Sequence, residues 1–285
     1  MTETSRIHCG IAGWSYSDWE GYVYPSGVRD KLAFIAPFVD AIEINSTFYR
    51  PPSGQNAASW ARRTAELDDF FFTAKLHGDV THKGRVDRAM VKAFNDGLKP
   101  LTEAGKLRHL LAQFRYDFAD SAGARKHLQN IRSSFGDITN LTFELRHNSW
   151  QSPGAIEYLE SLKSTVANLD YPLARNSFSL RECLVGEHAY LRVHGRNRKA
   201  WFDAKSGRDE TYNYLYSPEE IKNIARRALS LAQRSRSLTV IANNHYRGKE
   251  AVNALEIKSA VTGEKVKVPP ELLDKYPRLR DISAE

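Results

Sequence analysis

The feature of this chain that most restricts its fold is a regular alternation between short apolar runs and longer helix-like segments. Eight runs rich in apolar and β-branched residues occur in order, at 7–12, 41–45, 70–75, 109–114, 141–145, 165–169, 189–194 and 238–242. Several are continuously apolar, as is typical of strands covered on both faces. Helix-like segments lie between them, at 31–38, 56–67, 86–104, 122–135, 154–163, 217–234 and 248–262. This alternation predicts a parallel sheet with right-handed crossovers.

The number of strands favours a closed barrel over an open sheet. Eight strands within roughly 240 residues are typical of a (β/α)₈ barrel. An open doubly wound sheet would usually carry a GxGxxG turn after its first strand, whereas this chain has Gly13-Trp14-Ser15-Tyr16. We therefore predict an α/β fold with one (β/α)₈ TIM-barrel domain over residues 1–285, in which 265–285 is a C-terminal tail packed on the barrel. The segment 171–187 shows no evident sixth helix.

Composition excludes several classes of protein. With 41% hydrophobic and 26% charged residues, the chain can bury a large core and solvate its surface. No stretch approaches the roughly 18 apolar residues that span a bilayer, and the N-terminus does not resemble a signal peptide. We therefore expect a cytoplasmic protein with no membrane partner. Cys9 and Cys183 are far apart in sequence, so buried thiols are expected rather than a disulfide. The net charge of +7 suits an anionic partner, but it is also an ordinary solubility charge.

Polar residues cluster where the predicted strands end, which is where barrel enzymes place their chemistry. They are Glu43, Asn45, Lys75, Gln113, Glu144, Arg146, His147, Asp170, Arg192, His194, Asn243 and Asn244. Side chains two residues apart on a strand share a face, so Glu43 with Asn45, Glu144 with Arg146, and Arg192 with His194 can face the barrel axis together. The alternative is a set of ion pairs that closes the barrel, such as Glu43 with Lys75 and Glu144 with Arg192.

The loops after these strands carry aromatic and basic residues. Trp14 and Tyr16 follow strand one, Tyr49 follows strand two, and a loop of about 22 residues, a length typical of lids and binding loops, follows strand seven. Its segment 196–208 is basic and contains Trp201. Aromatic faces beside cations suit a sugar ring, a base or a ring-containing anion, although the aromatics could simply plug the barrel mouth.

Several motifs together resemble one known family. They are Gly10-Ile-Ala-Gly-Trp-Ser-Tyr16, Glu43-Ile-Asn-Ser-Thr-Phe-Tyr49, Phe72-Thr-Ala-Lys75 with Thr81-His82, Leu111-Ala-Gln-Phe114, Phe143-Glu-Leu-Arg-His-Asn-Ser-Trp150, Tyr190-Leu-Arg-Val-His-Gly195, and Asn243-Asn244 with Asn253-Ala254. In this order they resemble the DUF72 family, also called YecE-like proteins, over essentially the whole chain. The resemblance implies a TIM barrel and no assigned activity. This chain has Arg115-Tyr116 at the position where the family pattern usually has Pro-Pro, so the shape of the fourth loop is expected to differ.

The residues favour an enzyme that acts by acid/base chemistry on a small anionic or sugar-like substrate, phosphorylated ones included, without a cofactor or metal. Lys75, Arg146 and Arg192 would hold a phosphate or carboxylate. Glu43 and Glu144 would act as base and acid, with His194 as a further proton-transfer candidate. The predicted substrate-binding set is completed by Trp14, Tyr16, Asn45, Tyr49, Gln113, His147, Asn243 and Asn244.

Two other functions stay open at this point. One is a divalent-metal hydrolase or isomerase of the xylose isomerase or endonuclease IV kind, with Glu144, Asp170 and His194 as ligands. The neighbouring Arg146 and Arg192 would repel a cation, which weakens this hypothesis. The other is a non-catalytic nucleotide or nucleic-acid binder that uses the basic segment 196–208. The acids at the strand ends make nucleic acid the less favoured partner.

Overall fold

Eight strands form the framework of the chain, for which a computed structural model describes residues 6–284. The strands are hydrogen-bonded in sequence order from the first to the eighth, and the eighth pairs with the first, giving a closed barrel. The first strand pairs in parallel with the second and with the eighth, and the third to sixth strands pair in parallel in sequence order. They are β1 (Arg6–Ile11), β2 (Ala41–Ile44), β3 (Phe71–Lys75), β4 (Leu107–Gln113), β5 (Asn140–Glu144), β6 (Thr165–Asp170), β7 (His188–Val193) and β8 (Ser237–Ala242).

Helices follow most of the strands and complete a (β/α)₈ TIM barrel, which confirms the predicted fold class. They are α1 (Lys31–Ile35), α2 (Gly54–Arg63), α3 (Gly78–Thr81), α4 (Arg88–Glu103), α5 (Ala122–Phe135), α6 (Pro153–Ser161), α7 (Arg198–Phe202), α8 (Arg208–Thr211), α9 (Pro218–Ala232), α10 (Lys249–Thr262) and α11 (Pro270–Lys275). Within the described residues, no helix is long and apolar enough to cross a bilayer.

Local sequence explains where the longer helices begin. Ser217 caps α9 by accepting the backbone N–H of Glu220, whose side chain accepts the Ser217 N–H in return. Ser53, Asp87, Ser121 and Ser152 cap α2, α4, α5 and α6 in the same way, through an oxygen that accepts a first-turn N–H.

Two connections between strands can be compared with the sequence expectation. Between Asp170 and His188, a span that lies wholly in the described chain, there is neither a helix nor a strand, as the sequence suggested. The long loop after β7 is not irregular throughout, since it folds into the short helices α7 and α8. The C-terminal segment packs through buried Leu272 and Leu279, and Tyr276 Oη donates to the Arg247 carbonyl at 2.8 Å.

The chain divides into two compact units, each with its own contacts. The first unit contains the residues up to Ile42, Leu169–Pro172, and Leu191 onward, and the second contains Glu43–Asn168 and Leu173–Tyr190. The single-domain expectation therefore stays a prediction. In the first unit, a Cβ on Gly10 would lie 2.2 Å from the Ala41 carbonyl oxygen, so only glycine allows β1 and β2 to approach this closely. Cys9 and Cys183 are free, buried thiols, as expected.

Candidate functional site

In the second unit, predicted site residues end three neighbouring strands. Gln113 is paired in register with Glu144 on β5, and Lys75 on β3 is paired with Leu111, two residues before Gln113. β4 lies between β3 and β5 in the barrel. Adjacent strands are about 4.8 Å apart, so the strand ends that carry Lys75 and Glu144 are two such spacings apart. The parallel sheet thus gathers a cation, an amide and a carboxylate at its carboxyl edge.

Glu144 is held by the arginine two residues further along the chain. Its Oε1 accepts hydrogen bonds from Arg146 Nε at 2.8 Å and from Nη2 at 2.6 Å. The Glu144 side chain is fully buried, whereas Arg146 is 14% exposed. The two hydrogen bonds from one guanidinium fix the orientation of the carboxylate. Within this unit, Glu144 therefore forms an ion pair with Arg146.

Glu43 lies in a buried polar cluster inside the barrel. Tyr190 Oη is 3.1 Å from Glu43 Oε2 and 3.1 Å from Thr73 Oγ1. Because a carboxylate only accepts, the tyrosine proton points to Glu43, and the threonine hydroxyl can donate to the phenol oxygen. Thr73 is two residues before Lys75 on β3, so the Glu43 carboxylate makes this contact one layer below the strand end.

An imidazole absent from the predicted site lies beside these cations. The His82 ring packs edge-on against Phe48 at 4.9 Å, and Lys75 Nζ lies 5.5 Å from the centre of the same Phe48 ring. Burial lowers the pKa of His82, and the positive charges of Lys75, Arg115 and Arg146 lower it further. All three cations therefore act on one imidazole, which stays neutral at pH 7.

The other predicted residues of the second unit have local contacts. Asn45 precedes a turn of 3₁₀ helix at Ser46–Phe48, and Tyr49 is 76% exposed after that turn. His147 Nδ1 accepts the Ser149 backbone N–H at 3.3 Å and so caps the following turn. Tyr49 and His147 remain predicted binding residues, although the contacts of His147 are those of a helix cap.

In the first unit, His194 is held between two polar neighbours that were also predicted. Asn243 Nδ2 is 2.9 Å from His194 Nδ1, and Arg192 Nη1 is 3.5 Å from His194 Nε2. Arg192 and His194 are both fully buried. An amide nitrogen donates, so His194 Nδ1 accepts the hydrogen bond from Asn243. Asn243 therefore helps to hold the ring in place, and proton transfer by His194 stays a prediction.

Aromatic residues surround His194, two of them from the segment after β7 and one, Tyr171, directly after β6. The His194 ring centre lies 5.9 Å from Trp201, 6.3 Å from Tyr171 and 6.4 Å from Tyr212. Tyr212 also packs at 5.4 Å from His245, on which Tyr16 is stacked at 4.7 Å. The aromatics of α7 and α8 therefore pack on the ends of β7 and β8 and on the loop after β1.

Two further predicted residues of the first unit serve local structure. Asn244 Nδ2 donates to the Tyr214 carbonyl and to Asn253 Oδ1, both at 2.7 Å. The Trp14 carbonyl accepts the Tyr24 hydroxyl at 2.6 Å. These contacts position the loops after β8 and β1.

Asp170 is engaged by arginines, which weighs against its alternative assignment as a metal ligand. Its oxygens accept from Arg196 Nε and Nη2, both at 2.8 Å, from Arg227 Nη1 at 3.3 Å and from Tyr216 Oη at 2.9 Å. Two cations on one buried carboxylate leave no place for a third. Glu144 is likewise engaged by Arg146. Across residues 6–284, no three His, Cys, Asp or Glu side chains gather as a metal site would require.

The basic segment 196–208 is also largely engaged within the protein. Arg196 bonds to Asp170 and to Glu220, Arg208 bonds to Asp209, and Arg198 lies over the Phe202 ring at 5.0 Å. Intramolecular pairing reduces the charge that this segment can offer to a phosphate backbone. The nucleic-acid hypothesis is weakened accordingly.

A closed eight-stranded barrel with helices between its strands is a TIM barrel. The family described as "Protein of unknown function DUF72" matches residues 8–277. The chain belongs to the DUF72 family.

Solved structures of the family agree in fold and extent. A DUF72 family protein from Thermotoga maritima is 30% identical, with a TM-score of 0.79, over 90% of this chain and 99% of that one. A DUF72 family protein from Enterococcus faecalis is 25% identical, with a TM-score of 0.80, over 90% of this chain and 95% of that one. No curated protein sequence matches the chain.

Sequence reasoning did not select His82 and Tyr190 in the second unit or His245 in the first. His82 lies in a loop beyond β3, Tyr190 lies in the middle of β7, and His245 follows the predicted pair Asn243 and Asn244. His82 was visible only as part of a family motif. In the sequence, Tyr190 is indistinguishable from an ordinary core aromatic residue. Its role is evident only from the structure, in which its hydroxyl donates to Glu43.

Proposed function

We propose that this protein is an enzyme that acts on a small anionic, sugar-like substrate by acid/base chemistry, with Glu144 as the principal proton-transfer group. The single observation that carries the proposal is the fully buried Glu144 carboxylate at the end of β5, oriented by two hydrogen bonds from Arg146. A buried charge is costly unless it is paired. A carboxylate held in a fixed orientation at the carboxyl end of a barrel strand is well placed for general acid/base catalysis.

The residues divide into two roles. Arg146 directs its Nε and Nη2 protons to Glu144, so its role is to orient the carboxylate. Lys75, which ends β3 two strands away, is assigned to the anionic group of the substrate, and Gln113 between them to a polar substituent. Glu43, in contact with Tyr190, is the second carboxylate and completes the acid/base pair.

The charge around His82 supports an anionic substrate. Lys75, Arg115 and Arg146 all act on this ring, and together they lower the pKa that burial has already lowered. Three cations that share one neighbour produce a local positive potential, which attracts a phosphate or carboxylate. Asp117 and Glu144 offset part of this charge through their pairs with Arg115 and Arg146.

The anion assignment is tested by titrating inorganic phosphate into the wild type and into Lys75→Ala in a calorimeter at low salt. We expect the wild type to bind and Lys75→Ala to bind about 10-fold more weakly, a loss of about 1.4 kcal/mol. Lys83→Ala is the matched control, because Lys83 is an exposed lysine whose ion pair is with Asp79. A wild type that shows no phosphate binding, or an equal loss in both variants, would refute the assignment.

The catalytic assignment is tested by screening turnover of sugar phosphates and sugar acids by wild type and Glu144→Gln. The glutamine keeps the shape of the side chain but can neither take nor release the proton, so we expect turnover to fall by about 10²–10⁴-fold. Phosphate binding should be retained in the same variant, which shows that the site is still formed. Turnover equal to that of the wild type would defeat the role of Glu144.

A further inference from the structure

A cavity of about 580 Å³ lies in the second unit, beside His82. Its walls come from segments that follow the carboxyl ends of β3 and β4, together with the start of α5. The residues that line it are Thr81, His82, Gly84, Asp117, Phe118, Ala119, Ser121, Gly123, Ala124 and His127. Its volume is within the range of small-molecule sites, and nothing in the catalytic assignment uses it.

His127 offers this cavity a hydrogen-bond acceptor. Its Nε2 is 2.9 Å from the Val80 carbonyl oxygen, so Nε2 carries the proton and donates. Burial lowers the pKa of His127, which keeps the ring neutral at pH 7. In this tautomer Nδ1 is the unprotonated nitrogen and can accept a hydrogen bond.

His82, which also lines the cavity, likewise offers one hydrogen-bond acceptor nitrogen. The Thr81 hydroxyl donates to the His77 carbonyl at 3.4 Å and lies 2.9 Å from His82 Nδ1, so it accepts from Nδ1–H. The neutral His82 ring then has its unprotonated nitrogen at Nε2. Two neutral imidazoles therefore each offer one acceptor nitrogen.

The other lining residues add hydrogen-bond acceptors and few aromatic ring faces on which a ligand could stack. Asp117 is a carboxylate whose pKa is lowered by its bonds from Arg115, and it is therefore ionised. Phe118 is stacked between Phe114 at 4.2 Å and Trp150 at 5.7 Å, so both of its faces are covered. A lining of acceptors without an open aromatic face suits a ligand rich in hydroxyl donors.

We infer that this cavity is a subsite for the polyhydroxylated part of the substrate, with the anionic group held at Lys75. The inference rests on the proposed function, and it narrows the substrate class to a sugar that carries an anionic group. Phe48 links the two parts, because its ring lies 4.9 Å from the His82 ring and 5.5 Å from Lys75 Nζ.

The test fills the cavity without disturbing the fold. Gly123 is the second residue of α5, and a Cβ placed there meets no atom within 4 Å, so Gly123→Leu places its side chain in the open cavity. Gly154→Leu is the matched control. Gly154 is the second residue of α6, follows a serine cap in the same way, also has open space at its Cβ, and does not line the cavity.

Dissociation constants are measured by calorimetry for inorganic phosphate, ribose 5-phosphate, glucose 6-phosphate and fructose 6-phosphate. We expect at least one sugar phosphate to bind the wild type about 10-fold more tightly than phosphate alone, as one or two additional hydrogen bonds would provide. The ratio should fall to about 1 in Gly123→Leu and persist in Gly154→Leu, with phosphate binding unchanged in both.

The outcomes separate the cavity from the proposed function. If no sugar phosphate binds better than phosphate, or if the preference survives in Gly123→Leu, the subsite is refuted while the anion site at Lys75 stands. If phosphate fails to bind but a sugar preference is lost only in Gly123→Leu, the subsite stands and the anion assignment fails. Circular dichroism and thermal unfolding of both leucine variants confirm that each is folded.

Discussion

Replacing Asp170 by asparagine should destabilise the protein strongly, because this carboxylate neutralises two arginines in the interior of the first unit. Asp170 is fully buried, whereas Arg196 is 32% and Arg227 is 18% exposed. Each carboxylate oxygen accepts from a guanidinium, so the amide NH₂ of asparagine would face an arginine N–H in either orientation. The variant keeps the size of the side chain and changes only its charge and one acceptor.

The magnitude follows from the burial of the pair. Breaking a buried ion pair costs about 3–5 kcal/mol, and the partial exposure of Arg196 places the expected loss near the lower end, about 3 kcal/mol. For 285 residues the entropy of unfolding is about 0.6 kcal/mol/K, so the melting temperature should fall by about 5 °C. Loss of the Tyr216 contact could add to this fall, since its hydroxyl also donates to Asp170.

The assay is thermal unfolding of wild type, Asp170→Asn and Asp117→Asn, followed by circular dichroism at pH 7. Asp117 is bonded by Arg115 through two contacts of 3.2 Å, a similar two-point geometry, but the side chains are 54% and 52% exposed. Exposed pairs of this kind contribute little to stability, so the Asp117→Asn melting temperature should stay close to that of the wild type. Equal shifts in the two variants would show that burial of the pair is not the source of the effect.

Two further predictions concern buried polar groups. Tyr190→Phe removes the hydroxyl between Glu43 and Thr73, so the buried Glu43 carboxylate loses one hydrogen-bond donor. The free energy of unfolding, measured in urea, should fall by about 1–3 kcal/mol. A fall below about 0.5 kcal/mol, the size of a surface substitution, would contradict the assigned bond. Burial lowers the pKa of His245 despite its contact with Asp209, so the folded state binds fewer protons than the unfolded state below the ordinary histidine value of 6.5. Stability should therefore be full above pH 6.5 and decline as the pH falls, and His245→Gln should reduce that slope when melting temperatures are compared between about pH 7.5 and 5.5. An unchanged slope in the variant would exclude His245 as a contributor.

The strands could be predicted because their signal is local. The eight apolar runs correspond to β1–β8 with boundary differences of one or two residues, as for 109–114 against Leu107–Gln113. Burial on both faces leaves a continuous apolar pattern that needs no tertiary information. The capping box of α9 could be predicted for the same reason, since Ser217 and Glu220 are three residues apart.

Partners of the site residues could not be predicted, because they depend on which side chains meet across the sheet. The sequence suggested Glu144 with Arg192 as one ion pair, and it did not indicate the two hydrogen bonds that Glu144 accepts from Arg146 at its own strand end. The sequence indicates only that Asp170 is an acid at the end of a strand. Its partners Arg196 and Arg227, which donate hydrogen bonds to it, are 26 and 57 residues away in sequence.

By itself, the sequence determined the class of fold, the family and the end of the barrel at which polar residues collect. Each of these depends on periodicity, spacing or local motifs, which are properties of neighbouring residues. Only the tertiary structure decided which arginines each buried carboxylate contacts, namely Arg196 and Arg227 for Asp170 and Arg146 for Glu144. It also placed His82 and His127 around one cavity, because a hydrogen bond or a cavity wall requires atoms that are distant in sequence to meet within a few ångströms.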